Sequence, residues 1–584
     1  MKKYCTKYYY ISREWFVSLN TTFQLIVVFA ISFFVIFFSS IILGSMKKSY
    51  TIFVSPPELL IRSLPPLELF ISFILMISGL VMMAFIISVI SSSMENILRN
   101  IRIGKLKYMG LDHTIIINHN HLIFDLLKEK NSFYSYEKIV HDVVIVTDKH
   151  NEIEFLRENI RRRAFSYLNV SVRYSDLFSI ERYKELSLLE VNSIIILRDY
   201  SIEDSFSRDN QNLKIVNLLY SDPEFQLVMK KRRTELNPIK ALALFSHNEH
   251  FEKIIATTTH SNFLAVAPKD ILKHILHLSV INIDFYNIWI KLLSFESHEI
   301  YFIDPKEFKL IGREYKELIL SQENGLLIGL SRLVNSKFEI LLNPMRLTIK
   351  EGDWLIVMTQ EKKTLSFSEK YTKYANKHTI AQPKEVYTRK ILILGKEREF
   401  EKNNFLDMKG STIVSLNPDR EELFGKNYFE QWIEDFDSII FNLNDEITFR
   451  IAHIIGLNCS HINHNKFIFL INDQLIMQQL KNLNFKNIIS PDTLFSRYIS
   501  QISHQITLNS IFKILFILEG ADINLIHISE LDAILLENIH LLKSELAHNN
   551  ITFLGTVSKE GEICFEATNL INMEKIIVLS DGTF

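Results

Sequence analysis

The chain opens with two long apolar runs and then settles into short alternating ones. Leu25 to Leu43 reads LIVVFAISFFVIFFSSIIL without a charge, and Leu69 to Ile90 is interrupted only by Ser72, Ser78, Gly79 and Ser88. About 20 apolar residues carry a helix across a ~30 Å hydrocarbon core, so the pattern predicts a membrane segment over 1–107 with spanning helices at about 23–44 and 68–92. A signal peptide would have a shorter apolar region ending at a small-residue cleavage site. Lys2, Lys3, Lys7 and Arg13 precede the first run, and Arg99, Arg102, Lys105 and Lys107 follow the second. Basic flanks stay inside, which places both termini in the cytoplasm of a multi-pass protein of the plasma (inner) membrane. Between the runs, Ser55-Pro56-Pro57-Glu58 has the make-up of a helix start and Pro65-Pro66 of a stop, predicting a short pore-type helix in a loop that lies outside or dips back into the bilayer.

Beyond Lys107 the apolar runs shorten to strand length and alternate with amphipathic helical stretches, the signature of α/β units around parallel sheets. His113–Ile117, Val143–Val146, Val170–Tyr174 and Ser193–Leu197 read as strands, with helices over Leu122–Lys130, Ile180–Leu186 and Asp209–Leu219. The order predicts a doubly wound, Rossmann-like sheet. A second copy begins at Arg389–Gly395, continues with Ser411–Leu416 and includes Asp437–Phe441. Gly329–Asn343 aligns without gaps to Gly555–Asn569, each followed by a closing strand, Trp354–Met358 or Lys575–Leu579. The predicted architecture is therefore a first unit over 108–373 (sheet 113–290, lobe 296–362), a polar linker over 374–388, and a second unit over 389–584 (sheet 389–520, lobe 525–584).

Two spans, a basic linker, the strand HTIIIN, the strand NSIIIL and the lobe ending NPMRLTIKEGDWLIVM resemble the CASTOR/POLLUX family of ion channels and its bacterial relatives, along nearly the whole chain. The resemblance implies tandem RCK-type (regulator of conductance) domains, a homo-oligomer with a tetramer expected, a central pore for inorganic cations and a gating ring that Ca2+ could regulate. Ile271–Val280, rich in apolar residues, is the expected oligomer-interface helix, and Arg99, Arg102 and Lys105 the expected gating linker. A membrane-tethered sensor or scaffold that does not conduct is the alternative.

Composition narrows the field. With 65 basic and 67 acidic residues mixed along the chain and a net charge of −2, no nucleic-acid-binding surface is indicated. Cys5, Cys459 and Cys564 form no zinc or disulfide spacing. A dinucleotide site needs GxGxxG after the first strand so that the backbone can approach a pyrophosphate; here the turn reads Asn118-His119-Asn120-His121, and NAD(P) binding is not expected. Asn118, His119 and the strand-end Asp148 remain the weak ligand candidates, with solvated polar residues the commoner explanation. His113, His119 and His121, or His461 and His464, have spacing that a metal could use, and the acidic stretches Asp199–Asp209 and Asn442–Glu446 offer oxygen ligands without EF-hand spacing. Met46 to Pro66 contains no glycine, which excludes a TVGYG-type potassium filter. Glu58 and Glu68 are the acidic residues between the two apolar runs and the candidates for a cation-attracting ring. No catalytic arrangement stands out, so no enzyme activity is expected.

Overall fold

The computed structural model describes residues 21–54, 65–105, 107–233, 239–246, 248–258, 263–295, 298–334, 337–368, 389–395, 412–416, 435–458, 464–516, 522–567 and 569–580. They form two compact units, Met1–Leu106 and Lys107–Phe584. The linker expected over 374–388 and Glu58 lie outside the described residues.

In the first unit, α1 (Thr21–Leu43) and α3 (Pro66–Ile103) are both long and apolar enough to cross a membrane. α3 does not end with its apolar run near Ile90. It continues through the polar stretch to Ile103, where Gly104 takes the left-handed conformation and donates its N–H back to the last turn. The short helix expected from Ser55-Pro56-Pro57-Glu58 to Pro65 falls on 55–64, outside the described residues; ahead of it a separate helix, α2, occupies Met46–Val54 and packs against both α1 and α3.

The second unit begins with six parallel strands, β1 (Thr114–Ile117), β2 (His141–Thr147), β3 (Leu168–Tyr174), β4 (Ser193–Ile196), β5 (Lys240–Leu244) and β6 (Phe263–Val266), in spatial order β3-β2-β1-β4-β5-β6. The central strands TIII and SIII are buried along their whole length, which is why they read as continuous apolar runs. The connections are α4 (Ile123–Glu137), α5 (Ile153–Arg163), α6 (Ile180–Lys184), α7 (Ser205–Ser221), α8 (Pro223–Arg233) and α9 (Asn248–Thr258), and after β6 come α10 (Pro268–Ile281) and α11 (Asp284–Leu292). A lobe follows with β7 (Glu299–Ile303), α12 (Tyr315–Ser321), β8 (Gln322–Asn324), β9 (Leu326–Val334), β10 (Lys337–Leu342), β11 (Trp354–Thr359) and β12 (Ser366–Phe367).

The second half repeats this plan more briefly. β13 (Lys390–Leu394), β14 (Thr412–Leu416), β15 (Ser438–Phe441), β16 (Phe467–Leu470) and β17 (Ile488–Ile489) form a parallel sheet in order β14-β13-β15-β16-β17. Its helices include α13 (Asp445–Asn458), α14 (Gln474–Asn482), α15 (Pro491–His504) and α16 (Leu508–Phe516), and its lobe holds β18 (Asp522–His527), α17 (Ala533–Glu537), α18 (Ile539–His548), β19 (Thr552–Ser558), β20 (Ile563–Phe565) and β21 (Met573–Ser580). The two lobes share one topology, β7-β11-β9-β10 and β18-β21-β19-β20. The aligned glycines serve the same purpose: a Cβ on Gly329 would lie 2.6 Å from the Leu341 carbonyl oxygen, and one on Gly555 2.3 Å from that of Cys564.

Both halves share one hydrophobic core. Leu276, Ile288 and Trp289 of the first half are packed in the same cluster as Tyr498, Ile499, Phe512 and Leu579 of the second. Polar contacts register the seam: Arg497 bonds Glu129 (3.1 Å) and the Ile290 carbonyl (2.6 Å), Arg389 donates to the Val280 carbonyl (2.7 Å), and Lys575 meets Asp284 at 2.6 Å in a buried pair. This corrects the expectation for Ile271–Val280. α10 is covered within the chain by α15 and α16, and Ile275 and Leu276 are fully buried there, so its apolar face is not offered to another subunit.

Candidate functional site

In an open α/β sheet, ligands bind outside the carboxyl ends of the strands at the point where strand order reverses, here between β1 and β4. The chain leaves β1 through Asn118, whose φ of 65° is one that asparagine tolerates better than most residues. Its Nδ2 donates to the Leu197 carbonyl at 3.3 Å, and its N–H to Val146 at 2.9 Å. Asn120 then closes the turn: its Oδ1 accepts the Leu122 N–H (3.0 Å) and its Nδ2 donates to the Arg198 carbonyl (3.0 Å). The first N–H of the helix entry, the group a phosphate would use, is therefore already satisfied by a side chain.

Charged side chains occupy the rest of the crevice. His119 is buried and bonds Glu152, which stands just before α5. The acidic residue brought to the turn is thus Glu152, while Asp148 sits on an exposed bend after β2. Lys149 reaches Asp199 at 2.5 Å. Burial would raise the Asp199 carboxyl, but bonds from Lys149 and Ser201 hold it below its ordinary range. Arg198 is buried and binds Asp209 through Nε (3.1 Å), Ser205 (3.1 Å) and Ser246, with the Tyr200 ring 5.4 Å from its guanidinium carbon. Sequence reading passed over Arg198, Lys149 and Glu152; an arginine directly after the buried run SIIIL was the available signal.

These bonds also answer the calcium and metal candidates. In Asp199–Asp209, Asp199 and Asp209 are tied to Lys149 and Arg198, and Asp204 caps α7 through the Ser207 N–H. In Asn442–Glu446, Asp445 accepts the N–H groups of Asn472 and Asp473. The histidine group does not converge because β1 separates its members. His113 lies before the strand, bonded to the Leu186 carbonyl at 3.0 Å; His119 and His121 lie after it, and His121 turns to Asp492 at 3.2 Å. His464 stacks on Phe485, and His461 lies outside the described residues. Among the described residues, no group of three or more His, Cys, Asp or Glu is arranged to hold a metal.

The first unit carries a different geometry. Lys48, near the start of α2, pairs with Glu68 in the first turn of α3 at 2.7 Å. Farther along, Phe53 meets Gly79 so closely that a Cβ there would lie 2.0 Å from the Phe53 carbonyl oxygen. Gly79 lies roughly 20 Å down α3 from Pro66 at 1.5 Å per residue, so α2 runs back along the spans rather than across their ends. Arg99 and Arg102 are exposed on the last turns of α3, and Lys105 is exposed beyond it.

No family model matches the chain. A probable ion channel POLLUX from Arabidopsis thaliana is 22% identical over 292 residues, which cover 49% of this chain and 32% of that protein. The chain is similar to the POLLUX ion channels. It spans about a third of the length of that relative. Among solved structures, the human SLO3 gating ring superposes with a TM-score of 0.52 at 10% identity, covering 81% of this chain and 100% of that one. The POLLUX-like chain is thus a membrane protein whose α/β unit has the tandem RCK fold of a gating ring. A structure described as the GsuK channel bound to NAD aligns over 96% of this chain and 95% of its own, at 14% identity and a TM-score of 0.41.

Proposed function

We propose that the chain is one subunit of an oligomeric, cation-conducting channel, with a tetramer the expected form, in which the RCK-like unit sets the open probability of a pore built from α1, α2 and α3. The observation that carries this reading is the re-entry of α2 between the spans. With Lys48 beside Glu68 and Phe53 beside Gly79, α2 carries its carboxyl end down along the spans, and the partial negative charge of that end favours cations in a pore lined by it. Glu58 and Glu68 are the pore candidates and Arg99, Arg102 and Lys105 the gating linker, with both termini cytoplasmic. NADH and NADPH bind weakly or not at all in the first-half crevice, whose turn is capped by Asn120 and filled by His119. Ca2+ as a regulator has no preformed carboxylate site to support it among the described residues. No catalytic step enters this reading.

Purified protein in liposomes tests it. Cation flux is expected, and its absence would favour the non-conducting sensor, a reading that the internal neutralisation of Glu68 by Lys48 supports. In the conducting case, Glu58→Gln with Glu68→Gln lowers cation over anion preference, because Lys48 loses its counter-charge along with the ring. Reversal potentials across a salt gradient read this effect most clearly at low ionic strength.

A further inference from the structure

At the opposite edge of the first sheet, where its strands begin, the seam between the halves closes over basic side chains. Lys130 of α4 is fully buried and donates to Ser503 Oγ of α15 at 2.8 Å. The neighbouring His504 is enclosed by Phe133, Tyr134 and Phe295, with ring centroids 3.7, 5.3 and 5.4 Å away, and its Nε2 has no hydrogen-bond partner. His141, at the start of β2, stacks on Tyr134 at 4.1 Å and shares a bond with Thr114 Oγ1 of β1 at 2.9 Å. Among the described residues, none of these three basic groups is hydrogen-bonded to a carboxylate. The other ionisable groups around them are Lys240 on β5, bonded to Asn192 and influenced by Asp112 and Arg232; His113 before β1; Asp142 on β2, engaged by Tyr108 and Asn169; and the Glu129–Arg497 pair joining α4 to α15.

We propose that this seam is a proton-controlled latch: proton uptake by Lys130, and then by His141 and His504, parts α15 from α4 and loosens the second half from the first. A buried ammonium with a single hydroxyl partner is poorly solvated, and a second cation beside it makes matters worse. Burial, aided by Lys240, brings Lys130 down from 10.5 to about 7. Burial, aided by Lys130, brings His141 from 6.5 to about 3, and burial together with Lys130, His141 and Lys240 pushes His504 well below its ordinary value. Opening the seam hydrates these groups and restores their ordinary affinities. Between about pH 10 and pH 7 the open seam holds one proton more than the closed one, so opening becomes about tenfold easier for each unit of acidification. The lysine contribution levels off below about 7, where the closed state is protonated too. The histidines add theirs below 6.5.

Hydrogen exchange of the full chain in detergent reads this opening. After correction for intrinsic rates, amides of α4 and α15 are expected to lose protection about tenfold per unit from pH 9 to pH 7, while those of the β9–β11 lobe hold theirs. Lys130→Met, which keeps the volume and removes the charge, should flatten that slope. A flat wild-type profile overturns the latch, as does an unchanged slope in Lys130→Met or a loss of protection in the lobe that keeps step with the seam. Should Lys130→Met fail to fold, the wild-type profile still decides, and His504→Phe should retain the slope above pH 7 and weaken it below pH 6. The latch stands or falls on the seam alone. Only its use in gating rests on the channel reading, which liposome flux tests separately.

Discussion

The first strands of the two sheets occupy the same place in similar folds and end in opposite ways. β1 runs into Asn118, which adopts a left-handed conformation and uses its side chain to bond Leu197 across the switch point. β13 runs into Gly395, whose φ of 150° and whose approach to Asn442 exclude any side chain: a Cβ would lie 1.9 Å from the Asn442 carbonyl oxygen. In the first half the strand ends are sealed by long polar side chains, Arg198 reaching Asp209 and Lys149 reaching Asp199. In the second, the end of β13 is closed by backbone against backbone, and a polar side chain farther along the sheet, Asp445, bonds the backbone N–H groups of Asn472 and Asp473. Duplicated sheets thus keep the strand order near the switch point while placing the stabilising interactions in different chemistry, and the two should fail differently when changed.

Removing Arg198 is the most damaging test of that contrast. Arg198→Ala leaves Asp209 buried without its cation, at a cost of about 3–5 kcal/mol, read by chemical unfolding. Combining Arg198→Met with Asp209→Leu should recover much of that loss, since two apolar groups can replace a buried pair. Next comes Gly395→Ala, expected to cost on the order of 3 kcal/mol from backbone strain and the collision with Asn442, and to reduce hydrogen-exchange protection in β13 and β15 before β1. The smallest effect belongs to Asn118→Gly: glycine accepts the same φ, and the lost bond to Leu197 is worth about 1 kcal/mol. A loss for Asn118→Gly as large as that for Gly395→Ala would mean that the two strand ends are not sealed in different ways.

The first four strands were legible because buried parallel strands write themselves as unbroken runs, TIII, VVIV and SIII among them, whereas β5, β6, β16 and β17 and the spatial order of the strands were not read from the sequence. The lobes were legible through the matched glycines 329 and 555. The charged crevice was much less so. Arg198 and Asp209 stand near one another in sequence, but Lys149 and Asp199 are 50 residues apart, and nothing local marks them as partners. Proximity in sequence also misled. Four strand residues at about 3.3 Å each are enough to carry His113 away from His119, whatever their spacing suggests. The apolar face of α10 announced that something must cover it, and the composition of the face could not say that the cover lies in the same chain.

That covering has a consequence for how the protein is made. α10 leaves the ribosome well before α15 and α16, the helices that shield it, with on the order of 200 residues still to be translated. At about 5–20 residues per second, the nascent chain carries an uncovered oily stripe for roughly ten to forty seconds. Throughout that interval the first half is a sheet without its lid, exposed to aggregation and dependent on whatever holds it apart from its neighbours, so translation speed between α10 and α15 becomes a determinant of yield.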